Sequence, residues 1–287
     1  MAGPEICELT DLKRPRWDTG GPRPVRVYLW EPDGAPSSSA APPLLLLSHG
    51  TGGSALEMFW LAEALVSAGN RVAAMDHHGN NYVDGFLAEG FTCGWERARD
   101  FTFLLDVLAR QGELGPVGVA GFSLGGYTAA ALLGARIAVE RMMAVLDGTT
   151  PMPPLPEFPD LRRALAERRG ADGIQSLVQP GGGNFSDDRV EAAFLICPAL
   201  GMLLDERSLA EITRPVAIRW GGADDITPAS GNALRYAEFI PGAECACVGP
   251  DVAHLDFTDQ PAGSAARKAV SADAVAFFQQ RLGRAGT

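Results

Sequence analysis

The residues best suited to chemistry stand far apart in this chain. Gly121-Phe122-Ser123-Leu124-Gly125-Gly126 fits the pattern G-x-S-x-G, after a short apolar run and before an apolar helix. Small residues on either side of Ser123 let strand and helix approach at a tight turn. The turn lifts the hydroxyl clear, at a helix N-terminus whose dipole favours developing negative charge. A hydroxyl used in this way needs a base, and the base needs an acid. His254 lies in Asp251-Val252-Ala253-His254-Leu255-Asp256-Phe257, and carboxylates lie in Trp220-Gly221-Gly222-Ala223-Asp224-Asp225-Ile226-Thr227-Pro228. The order Ser123, Asp224, His254 is nucleophile, acid, base, each expected at the C-terminal end of its own strand. In such a set the imidazole takes the serine proton, the acid fixes its tautomer, and an acyl-enzyme forms and is hydrolysed. Asp224 leads because it stands three after Gly221 and four before Pro228; Asp225 and Asp147 are the alternatives. Each of these also reads as a turn carboxylate bonding nearby backbone N–H groups.

A second Gly-rich stretch, Ser48-His49-Gly50-Thr51-Gly52-Gly53, follows an oligo-Leu run. Backbone N–H groups of Thr51 and Leu124 are expected to form an oxyanion hole, each donor contributing ~3–4 kcal/mol to the transition state. His49 reads as a residue that positions this loop. Asp76-His77-His78 resembles a metal cluster, but adjacent residues on an extended segment point in opposite directions and no third ligand stands near, so no metal is expected. The glycines of 118–126 do not match a dinucleotide fingerprint, and no G-K-[ST] follows a Gly-rich loop. No cofactor is expected.

The elements that must position these groups alternate. Strands are predicted at 25–30, 44–48, 71–76, 117–120, 189–197, 215–220 and 244–248. Helices are predicted at 56–68, 95–110, from 123, at 205–212, 229–238 and 267–282. Strands separated by helical patterns imply βαβ units and a doubly wound, mostly parallel sheet with helices on both faces. The rhythm breaks over residues 139–188, which carry a helical piece, five prolines between 151 and 159, an Arg-rich helix near 160–169 and Gly181-Gly182-Gly183. An irregular insertion of this length inside one domain is expected to be a cap. Met152 and Phe158 on it are candidates to hang over a substrate pocket, whereas Met142 and Met143 read as core.

Composition narrows the classes. With 287 residues, 46% hydrophobic and 21% charged, the chain is an ordinary globular protein of one large domain. Its 24 basic against 35 acidic residues give a net charge of −11, which argues against nucleic acid and against anionic membranes. No apolar run is long enough to span a bilayer. Five cysteines without a C-x-x-C pair read as small buried or half-buried thiols of a reducing compartment. Together with a start that lacks a signal-peptide pattern, they lead us to expect a cytoplasmic protein.

Taken together, these stretches resemble the α/β-hydrolase superfamily, in the branch that groups dienelactone-hydrolase-like proteins with platelet-activating-factor acetylhydrolases. The resemblance rests on Trp30-Glu31-Pro32, Leu47-Ser48-His49-Gly50, the 71–80 segment, Gly121–Gly126 with Tyr127-Thr128, Pro198-Ala199-Leu200-Gly201, and the Asp224 and His254 segments. It covers most of residues 5–282 and is weakest in 139–188. It implies an α/β-hydrolase fold and a serine esterase acting on a small or medium apolar ester or a lactone, with a small molecule as the partner. A thioesterase or acyltransferase using the same residues, and a non-catalytic binder, are the alternatives. Two departures matter. Dienelactone hydrolase proper uses Cys where this chain has Ser123, so that substrate is not implied. In the acetylhydrolases the acid follows the strand after the nucleophile strand, and here that place reads Ile196-Cys197-Pro198-Ala199, leaving the later strand to supply it.

Overall fold

In a computed structural model the described residues are 3–32, 41–112, 114–151, 155–258 and 264–283. Leu44–Ser48 forms β3, buried throughout: Leu44 and Leu46 enter one core layer, Leu45 and Leu47 the other. This two-sided burial is why the run shows no polar alternation. Around it an eight-stranded sheet assembles from β1 (Glu5–Pro15), β2 (Pro22–Trp30), β3, β4 (Arg71–Asp76), β5 (Val117–Phe122), β6 (Val190–Ile196), β7 (Val216–Gly221) and β8 (Glu244–Gly249). The order across the sheet is β1-β2-β4-β3-β5-β6-β7-β8. β1 and β2 run antiparallel to each other and β2 antiparallel to β4, and every later pairing is parallel.

Helices α1 (Phe59–Ser67) and α9 (Ala265–Leu282) pack one face of the sheet. On the other lie α2 (Ala88–Thr92), α3 (Glu96–Gln111), α4 (Leu124–Ala131), α5 (Val139–Leu146), α6 (Leu161–Val178), α7 (Glu206–Ala210) and α8 (Ala233–Phe239). Register sets the working edge. Ser48 pairs with Gly121, Phe122 with Ile196 and Trp220 with Cys247, so β3, β5, β6, β7 and β8 end at one level. The turns that leave β3, β5, β7 and β8 carry Thr51, Ser123, Asp224 and His254, whereas Asp147 follows α5 and Phe158 lies in the insertion.

Three expectations need correction. The first thirty residues hold a hairpin, not one strand: β1 pairs along β2 from Glu5↔Leu29. As an edge strand exposed over most of its length, β1 has little apolar alternation to read. The Arg-rich helix continues to Val178 through a break at Gly170, whose φ of 63° and ψ of 174° suit only glycine. Cys245 and Cys247 are exposed on β8, not buried; all five cysteines are free thiols. Met142 is in the core and Met143 packs against it, as expected. Among the described residues, no helix is long and apolar enough to cross a membrane.

Candidate active site

β5 runs into a turn at Ser123, whose φ of 55° and ψ of −118° put a Cβ-bearing residue in a sparsely populated region. The flanking glycines permit it. A Cβ on Gly121 would come within 2.0 Å of Gly125 O, and one on Gly125 within 1.9 Å of Ser48 O. The elbow is fastened to its neighbour strand, Ser123 N–H donating to Ile196 O (2.9 Å) and Ser123 O accepting from Ala199 N–H (3.0 Å). Ser123 Oγ itself makes no hydrogen bond among the described residues.

His254 and Asp224 meet in space. His254 Nδ1 is 2.8 Å from Asp224 Oδ2 and 3.0 Å from Thr227 Oγ1, and both residues of the pair are buried. Asp224 Oδ1 accepts from the N–H of Ile226 (3.1 Å) and of Thr227 (2.7 Å), while Thr227 Oγ1 donates to Oδ2 (2.8 Å). Burial raises the Asp224 carboxyl, but the bond from His254 and those from Thr227 together carry it below its ordinary value. The carboxylate thus holds the proton on Nδ1 and leaves Nε2 as the basic nitrogen. The imidazole lies against Phe122, the residue before Ser123, at 4.7 Å between ring centroids. The other two carboxylates lie elsewhere: Asp225 is exposed, and Asp147 is exposed with Oδ1 accepting from Thr149 N–H (2.8 Å). Thr227 is a member of this cluster that the sequence reading passed over. Its place three residues after Asp224, in an Asx-type turn, was the available signal.

Cys197, at the end of β6, completes the surroundings of Asp224. Ligand atoms of Cys197, Asp224 and His254 lie within 4.8 Å of one another, the one such group among the described residues. Burial and then Asp224 push the Cys197 thiol up, so it stays protonated. A thiophilic cation at this place would have to displace the Nδ1 proton.

Leu124 follows Ser123 and Thr51 follows Gly50 in the 48–53 loop, and neither N–H donates a hydrogen bond among the described residues. A Cβ on Gly50 would lie 3.4 Å from Ser123 Cβ, so the 48–53 loop borders the nucleophile candidate. Of the two insertion residues, Phe158 stacks edge-on against Phe91 (5.2 Å, 89°), while Met152 lies outside the described residues.

Asp76, His77 and His78 diverge. Asp76 accepts from Tyr28 Oη (2.9 Å) and Ala55 N–H (2.8 Å), and His78 stacks on Trp17. His77 bridges Asp100 Oδ2 (3.1 Å) and Ser48 Oγ (2.9 Å). This is a hydrogen-bonded Ser–His–Asp chain, but Ser48 is fully buried at a strand end and no substrate can reach it. Burial, with Arg97 next, pulls His77 down to about 4, and His49 is likewise lowered by burial and Arg97. Both are therefore neutral in the folded chain, and the unfolded chain takes up their protons first. Stability is fully present above about pH 6.5 and is lost as pH falls toward 4. The urea midpoint should drop through that window; a flat profile from pH 7 to 4.5 would show that these imidazoles are not held neutral.

An α/β-hydrolase family model matches residues 44–267. The chain belongs to the alpha/beta hydrolase family. Among curated proteins, none matches this hydrolase. Among solved structures it is similar to a ferulic acid esterase from Streptomyces cinnamoneus, at 20% identity and TM-score 0.64 over 99% of this chain and 91% of that one. It is also similar to Est1E from Butyrivibrio proteoclasticus (13% identity, TM-score 0.56, 99% and 100% covered). A third likeness is to a cold-adapted esterase from an Arctic intertidal metagenomic library (15%, 0.53, 98% and 96%). At these identities the likeness is one of fold, and the fold expected from the sequence is the one this hydrolase has.

Proposed function

We propose that this hydrolase is a serine esterase that cleaves a small or medium apolar carboxylic ester, a lactone included. In this reading Ser123 is the nucleophile, His254 the base, Asp224 the acid, and the N–H groups of Thr51 and Leu124 hold the oxyanion. The observation that carries it is the 2.8 Å contact of His254 Nδ1 with Asp224, set beside a serine at an elbow with φ 55°. Nε2 takes the Ser123 proton as Oγ attacks the carbonyl. The tetrahedral oxyanion collapses with loss of the alcohol, which receives that proton, and water then repeats the sequence on the acyl-enzyme. In the resting geometry the Oγ–Nε2 bond is open, as catalytic bonds often are before substrate tightens them. A fluorophosphonate tests the reading by adding its mass at Ser123. Competing alcohols or amines in the assay distinguish hydrolysis, which gives only free acid, from acyl transfer. The five unpaired thiols support a cytoplasmic location.

The insertion is read as a cap on the pocket. Glu157 lies over Gly52, its Cγ 2.9 Å from where a Cβ there would stand, and Phe86 Cζ is 3.5 Å from the same point. Phe86, Phe91 and Phe158 form successive edge-to-face pairs, giving an aromatic wall next to the proposed oxyanion hole. Such a wall favours a bulky apolar or aryl acyl group, and the ferulic acid esterase among the similar structures makes aryl esters the first ones to assay. Phe158→Ala should lower kcat/KM for an aryl ester about 10-fold relative to an acetyl ester. An unchanged ratio would remove Phe158 from the pocket.

A further inference from the structure

The loop that carries Thr51 is held from behind by one buried cation. Arg97, on α3, is 2% exposed and donates from Nη1 to His49 O (2.7 Å) and from Nη2 to Gly50 O (3.2 Å) and Asn80 Oδ1 (2.9 Å). Asn80 Oδ1 in turn accepts from Gly52 N–H, and Asn80 Nδ2 donates to Gly90 O (3.0 Å). His49 Nδ1 closes on Gly50 O (2.7 Å), and its Nε2 accepts from His77 N–H (3.3 Å). The two carbonyls before Thr51 and the N–H after it are thus all turned into the protein. The Thr51 N–H is the donor left over.

Nothing about this arrangement is inexpensive. Among the described residues no carboxylate lies within hydrogen-bond reach of Arg97, and its buried Nε has no partner. Burying a cation on carbonyl oxygens, with Asp100 acting on it only through space, costs more than an apolar side chain of that size would, so core stability does not explain it. A backbone that must keep one N–H facing outward does, because peptide planes at glycines turn freely unless their carbonyls are held.

We propose that Arg97 is the positioning residue of the oxyanion loop: its guanidinium fixes the 49–52 backbone so that Thr51 N–H faces the Ser123 hydroxyl. The inference rests on the serine esterase reading. Arg97→Met keeps the bulk and removes the donors; Arg97→Lys keeps the charge and one direction of donation. Both should lower kcat, Met by about 10²-fold and Lys by less, with KM within about 3-fold of wild type, since a misplaced donor costs the transition state and not the ground state. Affinity for an alkylboronic acid, which turns tetrahedral only on Ser123, should fall in step with kcat. If either variant folds and keeps wild-type kcat and boronate affinity while only its thermal midpoint drops, Arg97 is a structural residue and the proposal is overturned. Should Met fail to fold, the Lys variant alone decides by the same split. Fluorophosphonate labelling of the wild-type chain keeps the two readings apart: no adduct ends both, whereas an adduct with fully active Arg97 variants ends this one only.

Discussion

Ser123→Ala should lower kcat by about 10⁵- to 10⁶-fold and abolish the fluorophosphonate adduct, leaving only what binding and the oxyanion donors supply. Alanine tolerates φ 55° as well as serine does, and Ser123 Oγ makes no hydrogen bond among the described residues. The thermal midpoint should therefore stay close to wild type, so that lost activity cannot be read as lost fold. Residual turnover within 10-fold of wild type would remove Ser123 as the nucleophile.

The second large effect belongs to Asp224, the acid in the proposed reading. Asp224→Asn should lower kcat by about 10⁴-fold, because an amide at that place can donate to Nδ1 and favours the wrong tautomer. Asp225→Asn and Asp147→Asn change exposed side chains and should stay within about 3-fold. If Asp147→Asn were the crippling one, the acid would lie on the wrong strand in our reading. The same carboxylate leaves a mark on stability. Its folded value lies below the ordinary 3.8, so its contribution is present above about pH 4 and is lost as pH falls through the lowered value. Asp224→Asn should remove that component of acid sensitivity and leave the one set by His49 and His77 at higher pH.

Much of the fold could be read from the chain because the strands that matter are buried on both faces. Leu44–Ser48 and Val117–Phe122 are unbroken apolar runs, and each is followed by a glycine pattern that only a strand-to-helix turn requires. The edges were harder to read. β1 is solvated for most of its length, so only Cys7 and Leu9 mark an inward side, too few to announce a strand beside β2. The meeting of Asp224 with His254 could be expected because each stands in a short turn after a strand of the same sheet. Arg97 could not be read as a loop clamp, because the loop it holds lies 47 or 48 residues earlier in the chain. A trace was nonetheless present. Arg97 and Asp100 occupy the same stripe of α3 as Phe101, Leu104, Leu105 and Leu108, and charged residues on a buried helix face ask for a polar reason.

The break at Gly170 divides α6 into two rods with different duties. Downstream, Val178 is buried and Gly181 sits tightly on the Trp95 ring, 2.7 Å from where its Cβ would be. Upstream, Arg168 and Arg169 grip the fully buried carboxylate of Glu89, and the chain beyond them leads to Phe158, edge-on to Phe91, and Glu157, over Gly52. Since the helical backbone is interrupted at that one residue, the two pieces are tied down separately, the upstream one through Glu89 and the downstream one at Trp95.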